Sequence, residues 1–351
     1  MVSAICAKAA VAQQTDSVKT STFFPLPLVF FTPETRWAFG AAAFYSWRLK
    51  DEPLNSRPSQ LQLGFAYTLE DQILAYLPFQ LYKENEKYTV FGEIGWYRYN
   101  YFYFGNGNEI PADYEELYGV NYPRLKLTGM YEFKPDLYTG LRVLSDKYRI
   151  TELVSEGILV RDDTPGIEGG WNNAVGVIIN FDNRDNYFAT QRGWYLEAGF
   201  DFFGGYVGSD YEYQRLTLDF RKFFSLGSKN VIGTNFYASE IYGEAPFITL
   251  SLLGGNKRLR GFYEGRYRDN TAALVQAEYR RELIGRFGFT LFGGSGLVAD
   301  NIGDLSTRYL RSTYGGGLRF ALNKEDRINI RFDVGIGNGE AAYYLTIGEA
   351  F

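Results

Sequence analysis

From Thr22 to the end of the chain, apolar and polar residues alternate with a period of two, in runs of about ten residues. Clusters of Gly, Asn, Asp and Pro separate the runs. In the run 327–337, Ile328, Ile330, Phe332, Val334 and Ile336 fall on one face, while Asn329, Arg331, Asp333 and Gly335 fall on the other. In 212–224, Leu216, Leu218 and Phe220 oppose Arg215, Asp219 and Arg221. No run carries the apolar spacing of an amphipathic helix.

The pattern predicts strands over 22–31, 36–48, 59–69, 72–83, 88–102, 120–133, 137–150 and 172–182 in the first half. The second half adds 193–203, 212–224, 230–241, 271–283, 286–299, 311–322, 327–337 and 341–351. That makes sixteen, an even number of strands about as long as a bilayer requires of a tilted strand. The connections divide by length. Glu70-Asp71, 84–87, 134–136, 225–229 and 323–326 are tight and are placed at the periplasmic end, whereas 103–119, 151–171, 242–270 and 300–310 are long and are placed outside. The connection 183–192 is the exception, a fairly long inner turn. The expected fold is an all-β transmembrane antiparallel barrel of about sixteen strands, spanning 22–351. Residues 1–12 are expected to form an export signal, with Ala10-Val11-Ala12 as the cleavage site and Cys6 removed with it, and 13–21 a short periplasmic segment.

Composition sharpens this picture. Mean hydropathy is only −0.24, yet the chain holds 29 Tyr, 29 Phe and 5 Trp. A soluble β-sandwich would alternate too, but it has no use for so many aromatics. A barrel places them in girdles at both membrane interfaces, and its polar lumen lowers the average hydropathy. No run reaches the ~20 apolar residues of a spanning helix. Charged residues belong in the lumen, because Arg or Lys on the lipid face at mid-membrane costs about 2–4 kcal/mol. Net charge is −5, which disfavours a nucleic-acid partner. There is no histidine and one cysteine, so the usual zinc ligands and the Ser-His-Asp hydrolase are missing, and neither an enzyme nor a cofactor or metal is expected.

The loop 242–270 holds Gly254-Gly255-Asn256-Lys257-Arg258-Leu259-Arg260-Gly261-Phe262. With Asp182-Asn183-Arg184-Asp185-Asn186, Glu278-Tyr279-Arg280, Tyr314-Gly315-Gly316-Gly317-Leu318-Arg319 and Arg331-Phe332-Asp333, it resembles the BamA/TamA family of outer-membrane assembly proteins, the bacterial surface antigens. The resemblance implies that Arg260, Gly261 and Phe262 fold back into the lumen. Alternation places Glu278, Arg280, Arg319, Arg331 and Asp333 there too. A buried arginine needs a partner, and Arg260 is expected to pair with Glu278. The family's usual aspartate in the thirteenth strand is replaced by Gly294, leaving Asp333 or Glu278 to compensate. The terminal Phe351 resembles the signal by which outer-membrane barrels are recognised for insertion, although Glu349 interrupts the face it would share with Tyr343, Leu345 and Ile347. The polypeptide-transport-associated domains of the family's folding and translocating members do not fit into 13–21, so an assembly role would need partner proteins.

The closing seam joins the first strand, with Pro25 and Pro27, to the last, with Gly348 and Phe351. Prolines lack an amide donor and avoid central strands, so the seam should be the weakest strand pair. Two readings stand. The resemblance implies a seam that opens sideways for client strands, in a barrel of the outer membrane that works with partner proteins and touches lipids including lipopolysaccharide. The alternative is a passive channel or structural barrel whose edge strand simply tolerates proline.

Overall fold

A computed structural model describes residues 21–50, 52–53, 56–111, 114–324 and 327–351. The expected leader and all of the short segment but Ser21 lie outside the described residues. Sixteen antiparallel strands close into one barrel. They are β1 (Ser21–Thr32), β2 (Arg36–Trp47), β3 (Ser59–Thr68), β4 (Ile73–Lys83), β5 (Tyr88–Tyr103), β6 (Glu116–Lys134), β7 (Leu137–Glu152), β8 (Gly170–Asp182), β9 (Gly193–Phe203), β10 (Tyr213–Ser225), β11 (Asn230–Gly243), β14 (Thr271–Glu282), β15 (Phe287–Ala299), β16 (Arg311–Asn323), β17 (Ile328–Gly337) and β18 (Glu340–Ile347). The short pair β12 (Ser251–Leu253) and β13 (Tyr267–Asp269) forms a separate ribbon inside the longest loop. A single helical turn, α1 (Ile158–Arg161), sits in another outer loop.

Alternation sorts the side chains as expected of a barrel. Leu141, Val177, Val275, Leu291 and Leu318 stand exposed on the outer wall, while Arg331, Asp333, Asp201 and Gln276 are buried inside. All five tryptophans face outward in two rings. Trp37, Trp96 and Trp171 lie toward the extracellular ends of their strands, Trp47 and Trp194 toward the periplasmic ends. Such rings mark the two membrane interfaces. β5, β6 and β7 are longer than the bilayer needs, so they carry the wall out beyond the surface.

Two expectations change. The turn at Glu70-Asp71 lies at the extracellular end, not the periplasmic one. β3 ascends as β1 does, the Leu69 amide donates to the Trp37 carbonyl at 2.9 Å, and Glu70 faces Arg36 of the neighbouring outer turn at 3.9 Å. The last strand ends at Ile347 rather than Phe351, because Gly348 takes a φ of +87° and turns the chain inward.

Candidate functional site: the lumen loop and the seam

The connection from β11 to β14 folds back into the barrel. Its β12–β13 ribbon enters, and the segment Gly254–Gly265 makes the innermost turn. The sequence dictates this path in two ways. Gly261 has a φ of +122°, and a Cβ there would stand 2.8 Å from the Ile336 backbone. On the facing wall, side chains at Gly335 and Gly337 would strike the Arg260 backbone and the Phe262 ring. The loop backbone therefore lies directly on β17, an approach that only glycine permits. Gly294 of β15 has a similar use, since a Cβ there would meet Leu259 at 2.9 Å. Where the family resemblance implies an aspartate, this chain seats an apolar side chain of the loop.

Arg260 is 1% exposed and is held on three sides. It lies 3.0 Å from Glu278 of β14 and 2.5 Å from Asp333 of β17, and its guanidinium stacks 3.6 Å from the centre of the Phe292 ring. Both acids receive further cations. Arg280 reaches Glu278 at 3.0 Å, and Arg319 reaches Asp333 at 2.6 Å. Arg331 lies 3.6 Å from Asp333, donates to Thr346 at 2.9 Å and donates to the Asn256 carbonyl of the loop at 3.2 Å. Four arginines thus share a dry site with a small number of carboxylates. Removing one member would strand charge in low dielectric, which costs about 3–5 kcal/mol.

Sequence reasoning missed one acid of this network. Glu349 lies 2.8 Å from Arg319 and 3.8 Å from Arg280, and accepts from Asn329 at 2.8 Å. Strict alternation would leave Glu349 facing lipid. The turn at Gly348 reverses it, and a glycine next to an otherwise impossible lipid-facing acid was the available signal. The same reversal moves Phe351. It does not lie along the seam on the face of Tyr343, but packs in the lumen with Phe223, Val231 and Ala350, where its main-chain oxygen accepts from Arg280 at 2.9 Å.

The loop is also fixed to both sides of the closing seam. Tyr344 of β18 is fully buried; its hydroxyl accepts from the Gly261 amide at 3.0 Å and donates to the Phe262 carbonyl at 3.2 Å. On the other side, Glu34 in the turn after β1 accepts from the Glu264 amide at 2.8 Å. Burial, and then the nearby Glu264 carboxylate, push the Glu34 carboxyl up to about 7. Above this, Tyr97, Tyr99, Tyr101, Tyr118, Tyr122 and Tyr148 line the inner wall and meet Phe247 of the loop, Tyr118 at 5.0 Å between ring centres. The extracellular half of the lumen is therefore filled.

Toward the periplasm a cavity of about 1,740 Å³ remains. One side is uncharged, with Leu28, Phe30, Ala42 and Phe44 from β1 and β2; the other carries Arg124, Arg142, Asp146, Glu197 and Asp201. Those charges are paired, Arg124 with Asp146 at 2.8 Å and Arg142 with Glu197 at 2.7 Å. The inner turn after β8 borders the same space. There Asp182 brackets Arg184 at 2.8 Å, and Asp185 reaches Arg327 at 2.6 Å.

The seam itself is nearly unpaired. β1 matches β2 along its whole length, from Ser21 opposite Trp47 to Thr32 opposite Arg36. Against β18 the described register holds one residue pair, Phe31 with Leu345. That pair lies at the extracellular end of β1 and two residues from the periplasmic end of β18. Below it β18 stops and β1 continues, with Pro25 and Pro27 exposed on its outer face.

A closed sixteen-strand wall, an inward loop with Arg260 at its tip and a barely paired first and last strand form a specific combination, and comparison with known families agrees. The Omp85 superfamily domain matches residues 7–351. The chain belongs to the Omp85 superfamily. It is accordingly an integral outer-membrane β-barrel. Similar solved structures include BamA from Haemophilus ducreyi lacking POTRA domains 1–3, at a TM-score of 0.60 and 16% identity, covering 94% of this chain and 70% of that one. CdiB from Escherichia coli aligns at 0.61 and 11%, covering 97% and 63%. CdiB from Acinetobacter baumannii aligns at 0.58 and 14%, covering 94% and 60%. At these identities the likeness is one of fold. No curated protein matches the sequence. This Omp85 barrel thus spans somewhat under two thirds of the CdiB chains and 70% of the BamA chain.

Proposed function

We propose that this Omp85 barrel admits client polypeptide through the periplasmic half of its β1–β18 seam, and works in outer-membrane protein assembly or translocation with partner proteins. The observation that carries the reading is the seam register, with its single pair at Phe31 and Leu345. A free strand edge is a template for another strand, and here the edge of β1 borders a cavity lined by Leu28, Phe30, Thr346, Ile347 and Gly348. The lumen loop acts as a staple. Tyr344 and Glu34 hold it to either side of the seam at the outer end, so opening is confined to the periplasmic half. Arg260, with Glu278 and Asp333, keeps the staple in place while Arg280, Arg319 and Glu349 hold the end of the chain inside. Client barrels, periplasmic or outer-membrane partner proteins and the surrounding lipids, lipopolysaccharide included, are the proposed contacts. A passive channel fits less well, because the loop and the tyrosine wall fill the outer half of the lumen.

The test is a reversible lock. Val29 and Ile347 lie two residues below the Phe31–Leu345 pair on their strands, so Val29→Cys with Ile347→Cys, in a Cys6→Ser background, should form a disulfide across the gate. Outer-membrane protein biogenesis in cells that depend on this barrel should fail when the lock is oxidised and recover on reduction. Normal biogenesis with the seam fully locked contradicts the proposal.

A further inference from the structure

We propose that Arg98, Lys147 and Arg149 form a site on the outer wall for the phosphorylated headgroup of an outer-leaflet lipid. The three side chains come from neighbouring strands and face outward. Arg98 of β5 stands opposite Asn121 of β6, which stands opposite Arg149 of β7. Strands lie about 4.8 Å apart, so the two arginines are about 10 Å apart at their backbones, and Lys147 lies two residues before Arg149, about 7 Å along the strand. Long flexible side chains at these spacings can converge on one phosphate or on a close pair.

The position selects the ligand. Arg98 comes directly after Trp96 on its face, and Lys147 lies beside Trp171, its Nζ 4.9 Å from the centre of that ring. Both tryptophans belong to the extracellular ring. Beneath them on the same wall are exposed Ile94, Leu125, Leu127, Leu141, Val143 and Val175. A ligand bound here has its charge at the headgroup level and its remaining bulk against an apolar wall, which describes a lipid rather than a soluble anion.

The cations are available. Among the described residues none of the three has an acid within ion-pairing distance or a side-chain hydrogen bond, whereas Arg124, Arg142 and Arg260 of the lumen are paired. Two acids of adjoining outer turns are engaged elsewhere: Asp71 accepts from the Tyr67 hydroxyl, and Asp210 accepts from the Trp171 amide at 2.7 Å. Three unpaired cations grouped on a membrane-facing wall repel one another unless an anion lies between them, and phosphate accepts from guanidinium and ammonium groups in short charge-assisted bonds. The proposal requires the barrel to stand in the outer membrane but not the seam to open, so its test is separate from the reversible lock.

The experiment is native mass spectrometry of the full chain, refolded in neutral detergent and titrated with diphosphoryl lipid A, lipid A stripped of both phosphates, or inorganic phosphate. The wild type should retain diphosphoryl lipid A. Removing both phosphates, or substituting Arg98→Gln, Lys147→Gln and Arg149→Gln together, should weaken retention on the order of tenfold or more. Inorganic phosphate alone should not be retained. Arg281→Gln, which removes an exposed cation near the periplasmic end, should change nothing. Heat-dependent gel mobility verifies that each variant is folded. Equal retention by the triple variant, equal retention of dephosphorylated lipid, retention of inorganic phosphate alone, or an equal loss in Arg281→Gln overturns the site. So does a wild-type dimer that the triple substitution dissolves, which would assign the face to a second copy.

Discussion

Arg260 concentrates the physics of the lumen at one residue. Its charge is out of water, and its value lies in Glu278, Asp333 and the Phe292 ring all being satisfied by one guanidinium. Arg260→Ala would leave Glu278 and Asp333 under-compensated, and is predicted to lower stability by about 3–5 kcal/mol. Arg260→Lys should recover only part of this, since an ammonium cannot span both carboxylates and stack on a ring as well. Urea unfolding of the refolded barrel, followed by tryptophan fluorescence, measures both; a loss below about 1 kcal/mol in the alanine variant would contradict the assignment. Much of this centre is legible in the sequence, because Glu278, Arg280, Arg319, Arg331 and Asp333 sit on strands whose alternation reports their face. Glu349 and Phe351 are not legible that way, since one left-handed residue, Gly348, swaps the faces of everything after it.

Among elements, the loop from β11 to β14 matters most, because it joins the two strands that scarcely join each other. Its contact to the β1–β2 turn is pH-sensitive. Glu34 faces Glu264, with Tyr263 and Tyr344 nearby and Thr32 donating to it. Burial also raises the Glu264 carboxyl, against the pull of Arg258, Lys257, Arg268 and Arg124. With its folded value at about 7 against 4.5 for a free side chain, Glu34 keeps a proton in the folded state that the unfolded chain has already lost. Stability from this contact is therefore greatest at low pH and declines as pH rises from about 4.5 through about 7. Protease susceptibility of the loop should rise across that window in the wild type, and Glu34→Gln should flatten the profile. An unchanged slope in the variant would rule out Glu34 as the titrating group. The length and location of this loop can be read from the chain, but its partners in the β1–β2 turn and on β18 cannot, because they lie 230 and 83 positions from the loop residues they meet and are brought there by barrel closure. The tight turn at Glu70-Asp71 shows the limit of loop length as a guide. It is short, yet it sits at the outer end with the long loops.

At the scale of the whole molecule, the wall is uneven. β5 to β7 pair over long registers, are held inside by Arg124–Asp146 and the tyrosine stack, and rise beyond the membrane. Beyond β4 to β1 on the circle lies the seam, where β1 runs past the end of β18 beside an uncharged patch of lumen. Strand number and closure are written in the period-two pattern, since each run must satisfy lipid on one face and a polar interior on the other. The asymmetry is only hinted at, by Pro25, Pro27 and Gly348, because proline marks missing donors but not how far a partner strand reaches. Hydrogen exchange of the refolded barrel in lipid nanodiscs, resolved by residue, tests this directly. Over 21–30, the amides facing away from β2 should exchange within minutes while those shared by β6 and β7 stay protected for hours. Protection of β1 on both edges, equal to that of β6 and β7, would mean the seam is closed along its length and would contradict the account.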